Sequence, residues 1–118
     1  MAEALRVLVV DDSAVVRQGV LTLLEHVPGM VVEVASDPLI ARQKMKSYQP
    51  DVVLLDLEMP RMDGLTFLRE LMREEAPVPV VVCSGLAGPG SEMAARALQE
   101  GAVEIISKPM LGVGDFLR

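Results

Sequence analysis

Residues 5–12 read LRVLVVDD, and this stretch decides the fold. A mostly apolar run leads directly into two aspartates, and residues 52–56, VVLLD, repeat the arrangement with one aspartate. A third run, residues 103–108, reads VEIISK and ends in a lysine. Short apolar runs bounded by polar residues are typical of buried strands. If the strands are parallel, their carboxyl ends lie along one edge of a sheet.

The charged residues that end these runs would then meet in a small space. They are Asp11, Asp12, Asp56 and Lys108. Carboxylates that lie so close cannot all stay ionised unless a cation compensates their charge. The arrangement therefore predicts a site for a hard metal ion, and the metal would assist chemistry on an oxygen-containing group.

Predicted helices alternate with predicted strands along the whole chain. The strands span residues 5–10, 30–35, 51–55, 78–83 and 102–106. The helices follow Ser13, Asp37, the loop 56–63 and Ser91, and serine and aspartate are favoured N-cap residues. This alternation predicts an α/β fold, a doubly wound five-stranded parallel sheet with helices on both faces. Such sheets bind ligands at the carboxyl ends of their strands.

Length and composition narrow the function further. The 118 residues predict one domain, residues 1–118, and the net charge of -6 argues against direct binding to nucleic acid or anionic lipid. Cys83 is the only cysteine, which excludes an intrachain disulfide and fits a reducing, cytoplasmic location. No apolar stretch approaches the roughly 20 residues that span a bilayer.

Four motifs together resemble a response-regulator receiver domain, and the resemblance covers essentially the whole chain. They are VVDDS at residues 9–13, DLEMPRMDG at residues 56–64, Ser84-Gly85 and Lys108-Pro109. A finer likeness, carried by residues 37–42, 56–64 and 90–102, is to the receiver of a chemotaxis protein-glutamate methylesterase. The expected fold is the flavodoxin-like one with strand order 2-1-3-4-5.

The resemblance implies a role for each matched residue. Asp56 would be the phospho-acceptor, Ser84 would hydrogen-bond the phosphoryl group, and Lys108 would pair with it. The Mg²⁺ ligands would be Asp11, Asp12, Asp56 and the backbone carbonyl of Glu58. Elementary chemistry agrees, because Mg²⁺ prefers oxygen ligands and a carboxylate is a competent nucleophile toward phosphorus. Positive charge would stabilise the transferring group.

The implied function is a two-component phosphorelay switch. A histidine kinase would phosphorylate Asp56, and the phosphorylated form would regulate an output domain, the methylesterase of a chemotaxis protein. The chain contains no Gly-x-Ser-x-Gly motif and one histidine, His26, so by itself it is not expected to be an enzyme beyond self-phosphoryl transfer. One alternative is a stand-alone receiver that acts by docking to a protein partner.

A more distant alternative is a Mg²⁺-dependent phosphohydrolase with an aspartyl nucleophile. Such an enzyme needs a general acid two residues after the nucleophile, and Glu58 has that spacing.

The C-terminal segment predicts a truncated last helix. Only residues 110–118 follow Lys108-Pro109, and Gly112 and Gly114 interrupt them. A piece of this length would leave apolar surface uncovered next to the first helix, and such a patch usually marks an interaction site. We therefore expect the chain to self-associate, as a homodimer, either through this surface or by exchange of the end segment between two chains.

Overall fold

The computed structural model describes residues 4–59, 64–84 and 92–107. The five strands are β1 Leu5–Val10, β2 Met30–Ala35, β3 Val52–Asp56, β4 Val80–Ser84 and β5 Glu104–Ser107. All neighbouring strands are parallel, and their order across the sheet is β2-β1-β3-β4-β5. The predicted fold class and strand order are confirmed.

Four helices connect the strands: α1 Ala14–Glu25, α2 Pro38–Tyr48, α3 Gly64–Met72 and α4 Glu92–Gln99. Two predicted caps are confirmed, since Ser13 Oγ accepts from the amide of Val16 at 3.3 Å and Asp37 Oδ1 from that of Ile40 at 2.9 Å. The predicted cap Ser91 and the predicted truncated helix lie outside the described residues. None of the helices in the described part of the chain has the length and apolar character needed to cross a membrane.

Three predicted strands were displaced by one to two residues. β3 ends at Asp56 rather than before it, because Asp56 still pairs with Cys83 and the next amide, of Leu57, donates to the Cys83 carbonyl at 3.1 Å. Ser84 is likewise the last residue of β4 and not the first of a loop. β5 begins at Glu104 because the amide of Ala102 still bonds to the Ala97 carbonyl in the turn after α4.

The two faces of the sheet differ in their cover. Alternate strand residues, Leu8, Val10, Val53, Leu55, Val80, Val82 and Ile105, form one core with side chains of α2, α3 and α4. We call this the α2–α4 face. The intervening residues Val9, Leu54, Cys83 and Ile106 face α1, and together with α1 they line a groove of about 180 Å³. We call this the α1 face.

Candidate functional site

Three aspartates meet at the carboxyl edge of the sheet, where β1 and β3 lie side by side. One carboxylate oxygen from each of Asp11, Asp12 and Asp56 lies within 4.8 Å of the other two. Asp11 and Asp56 are 2% and 1% exposed, whereas Asp12 is exposed. The chain leaves β1 toward one side of the sheet and β3 toward the other, which opens the crevice where ligands bind in folds of this kind.

Asp11 is fixed by hydrogen bonds at the junction of β1 and α1. Its amide donates to the Ala35 carbonyl of β2 at 3.1 Å, and its Oδ1 accepts from the amide of Ser13 at 2.9 Å. The Arg17 guanidinium, one turn into α1, donates to the Asp11 carbonyl at 2.7 Å. The start of α1 therefore holds the Asp11–Asp12 turn in place, and Asp12 is presented on its exposed side.

Asp56 is fixed by the strand in which it lies and by the chain that follows. Its Oδ1 accepts from the amide of Glu58 at 2.9 Å. The first residue of α3 is Gly64, and a Cβ placed there would lie 2.6 Å from both the Asp56 carbonyl oxygen and the Leu57 Cα. Real carbon atoms do not approach backbone so closely, so only glycine lets α3 begin directly behind Asp56.

Ser84 lies at the end of β4, next to the strand that carries Asp56. It is 0% exposed, and its Oγ donates a hydrogen bond to Glu58 Oε2. The sequence predicted a metal-binding backbone carbonyl at Glu58 and, in the phosphohydrolase alternative, a general acid, but not this contact between the Glu58 side chain and Ser84. The spacing of Glu58, two residues after Asp56, was the available signal that its side chain could reach the same crevice.

The structure brings together five of the six predicted site residues. They are Asp11, Asp12, Asp56, Glu58 and Ser84. Lys108, the sixth, lies outside the described residues. The pooled carboxylate oxygens fit Mg²⁺, which takes oxygen ligands and keeps some of its waters, and the exposed side of Asp12 leaves room for them.

The groove of the α1 face runs up to the acidic cluster. Asp11 and Asp56 line its upper end, and below them the lining is apolar, from Val20 and Leu24 of α1 and Leu54 of β3. Leu23 and Ile106, which also line it, are 55% and 42% exposed. An apolar surface therefore adjoins the acidic crevice on the side of α1.

Comparison with known proteins agrees with this architecture. The family model for the response regulator receiver domain matches residues 7–113. The response regulator domain of Thermotoga maritima CheB superposes with a TM-score of 0.82 at 39% identity, covering 91% of this chain and 80% of that chain. The Vibrio cholerae chemotaxis protein CheY4 superposes with a TM-score of 0.77 at 30% identity, covering 98% and 93%.

The curated relatives that this chain matches are longer proteins than the 118-residue chain. A protein-glutamate methylesterase/protein-glutamine glutaminase of Anaeromyxobacter dehalogenans is 61% identical over 112 residues, which are 95% of this chain and 32% of that protein. A second, from Dechloromonas aromatica, is 52% identical over 118 residues, or 99% of this chain and 33% of that protein. The chain thus spans about a third of the length of these relatives. From its sheet order, its family match and its likeness to solved receivers, the chain belongs to the response regulator receiver family.

Proposed function

We propose that this chain is the phospho-acceptor domain of a two-component phosphorelay and that Asp56 is the acceptor. The observation that carries the proposal is the convergence of three carboxylates within 4.8 Å at the carboxyl edge of a receiver-family sheet. Asp56 is the last residue of β3, the central strand, and its Oδ1 accepts a hydrogen bond from the Glu58 amide. The phosphohydrolase alternative is less well supported, because the Glu58 carboxylate is engaged by Ser84.

In the proposed reaction an Asp56 carboxylate oxygen attacks phosphorus. An O–P bond to Asp56 forms, the P–N bond to the histidine of a kinase breaks, and the donor imidazole keeps the electron pair and takes up a proton. Asp11, Asp12, Asp56 and the Glu58 carbonyl would hold Mg²⁺, which when bound neutralises charge on the phosphoryl oxygens. Lys108 would pair with the same oxygens. Ser84 would donate its hydroxyl to them after transfer.

The proposed consequence of phosphorylation is a change in an output domain. The product adds roughly -1.5 to -2 charges and three acceptor oxygens at one point of the crevice. Because the longer relatives are methylesterases, we propose that the parent protein is a chemotaxis methylesterase and that residues 1–118 form its receiver domain. The proposed partners are a histidine kinase and that output domain, in the cytoplasm, without direct contact to nucleic acid or membrane.

A second candidate is a stand-alone receiver that docks to a separate protein. It is favoured by one observation, the match to 93% of the Vibrio cholerae chemotaxis protein, whose chain is of similar length. Sequencing the reading frame downstream of Arg118 distinguishes the two. A hydrolase domain there supports the methylesterase, and a stop codon supports the stand-alone receiver.

We also propose a second copy of the chain as a partner for the groove of the α1 face. Leu23 and Ile106 expose 55% and 42% of their surface at this groove, and contact with another copy would bury them. A homodimer formed in this way would lie next to Asp11 and Asp56, which line the upper end of the groove.

The acceptor is tested by treating the chain with acetyl phosphate and Mg²⁺ and weighing it by intact-mass spectrometry. We expect one phosphate adduct in the unmodified chain and none in Asp56→Asn. Without Mg²⁺, or in Asp12→Ala, labelling should fall by about tenfold or more, because the transferring group loses a cation. An undiminished adduct in Asp56→Asn contradicts the acceptor assignment, and full labelling of Asp12→Ala contradicts the metal assignment.

A further inference from the structure

Two side chains with separate proposed roles contact each other. The Ser84 hydroxyl donates to the carboxylate of Glu58, across 26 positions of sequence. The backbone amide of the same residue, Glu58, donates a hydrogen bond to Asp56 Oδ1 at 2.9 Å. Glu58 therefore contacts Asp56, the proposed acceptor, through its amide and Ser84, at the end of β4, through its carboxylate.

A serine hydroxyl has one hydrogen to donate. In the structure it is donated to Glu58, so the same hydrogen cannot be donated to a phosphoryl oxygen on Asp56. The phosphoryl group and the Glu58 carboxylate are also both anionic, and two negative charges in one crevice repel each other. Phosphorylation of Asp56 and the Ser84–Glu58 contact consequently oppose each other for two reasons.

We propose that the Glu58 carboxylate holds Ser84 in the unphosphorylated protein and competes with the phosphoryl group for its hydroxyl. This inference rests on Asp56 being the phospho-acceptor. Glu58 is then a positioning residue that acts through Ser84, and it sets how often the unphosphorylated chain samples the arrangement that phosphorylation stabilises. By population shift, weakening the contact raises that fraction and speeds phosphorylation.

The test compares Glu58→Ala with Glu58→Gln in the 118-residue chain. The amide oxygen of glutamine still accepts from Ser84 but carries no charge, whereas alanine removes the acceptor altogether. We expect acetyl phosphate to label Glu58→Ala about tenfold faster than the unmodified chain, and Glu58→Gln at an intermediate rate, since hydrogen bonds to charged groups are stronger than neutral ones. Glu25→Ala, which removes one charge at an exposed position of α1, should be labelled at the unmodified rate.

A second measurement reports on Ser84 directly. The Ser84 Cβ chemical shift is recorded by NMR without metal or phosphodonor, and in the unmodified chain after saturation with Mg²⁺ and beryllofluoride. In Glu58→Ala, but not in Glu25→Ala, the shift should move toward the saturated value. In a Ser84→Ala background, Glu58→Ala should give a much smaller acceleration, because the contact it breaks is already absent.

Three results would overturn the proposal. They are labelling of Glu58→Ala at the unmodified rate, equal acceleration in Glu58→Ala and Glu58→Gln with an unmoved Ser84 signal, and the same acceleration in Glu25→Ala. The last two would assign the effect to charge alone. Failure of the acceptor assignment looks different, because it shows as a phosphate adduct in Asp56→Asn, a variant that keeps both Glu58 and Ser84.

Discussion

The two faces of the sheet are built from adjacent residues of the same strands, yet they are covered to different extents. On the α2–α4 face Leu55 and Val82 are 0% exposed, whereas on the α1 face Leu54 and Cys83 are only partly buried and Ile106 is 42% exposed. By alternation along β1 and β3, Asp11 and Asp56 belong to the less covered α1 face, whose groove they line. The packing that stabilises the fold thus lies mainly opposite the proposed chemistry.

The surface ion pairs of the described residues also differ between the two faces of the sheet. Lys44 of α2 pairs with Glu33 of β2 at 3.0 Å, and Arg42 of α2 pairs with Glu74, just after α3, at 2.6 Å. Arg69 of α3 pairs with Glu100, just after α4, at 2.8 Å. Within the described residues, these ion pairs connect the elements of the α2–α4 face to one another and none involves α1. We therefore expect substitutions on the α2–α4 face to lower the free energy of unfolding more than substitutions on the α1 face.

The largest expected effect comes from truncating neighbouring leucines of β3. Leu55→Ala should lower the free energy of unfolding by about 3 kcal/mol, because the side chain is fully buried and its loss leaves a cavity. Leu54→Ala removes the same atoms beside an existing groove and should cost about half as much. Urea unfolding of both variants measures the difference. Equal costs would show that the α1 face is as fully packed as the other.

A smaller effect is expected at the start of α3. Helix propensity alone predicts that Gly64→Ala stabilises the protein by about 1 kcal/mol. The structure predicts the opposite sign, a loss of about 2 kcal/mol, because the new Cβ would meet the backbone of Asp56 and Leu57 at 2.6 Å. The shift of α3 should also displace Asp56 and slow its labelling by acetyl phosphate.

Gly29→Ala is the matched control for that substitution. Gly29 has φ of 79° and no atom within 4 Å of its Cβ position, so alanine there brings backbone strain of about 1 kcal/mol without a collision. Acetyl phosphate should label Asp56 in Gly29→Ala at the same rate as in the unmodified chain. If Gly64→Ala were more stable than the unmodified chain, that result would contradict the close approach of α3 to the end of β3.

The α1 face can be tested by placing a charge at its groove. Leu23→Glu alters a side chain that is 55% exposed, so the free energy of unfolding should change by about 0.5 kcal/mol or less. If two copies meet through this groove, the same substitution should shift sedimentation toward the monomer. Leu39→Glu, at a position 73% exposed on α2, is the control and should not. A monomer before substitution contradicts the homodimer.

Sequence reasoning predicted the fold well because each apolar run and each cap is a local signal. It placed the ends of β3 and β4 one residue early because charged and polar residues are seldom buried, and Asp56 and Ser84 were therefore assigned to loops. It did not separate Ile105, which is 7% exposed, from Ile106, which is 42% exposed, because both are apolar and the cover of each face depends on packing. The Ser84–Glu58 contact depends on a long-range approach of two strand ends, which no local pattern specifies.

The smallest expected effect concerns an ion pair at the edge of the α2–α4 face. The Lys44 ammonium donates a hydrogen bond to Glu33 and thereby lowers the pKa of that carboxyl below its ordinary value of 4.5. A group whose pKa is lowered by folding stabilises the protein above its unfolded pKa, and this contribution is lost as the pH falls through the folded one. Both side chains are more than a third exposed, so solvent screens the pair to about 0.5 kcal/mol.

Glu33→Gln should therefore lower the free energy of unfolding at neutral pH by this small amount. The difference from the unmodified chain should shrink as the pH falls below 4.5 and should also shrink in high salt. Glu25→Gln, an exposed acid of α1, is the matched control and should change stability less at neutral pH. A Glu33→Gln penalty that persists in acid would mean that the side chain acts by packing against β2 rather than by its charge. In that case the surface ion pairs would not contribute to the difference between the two faces.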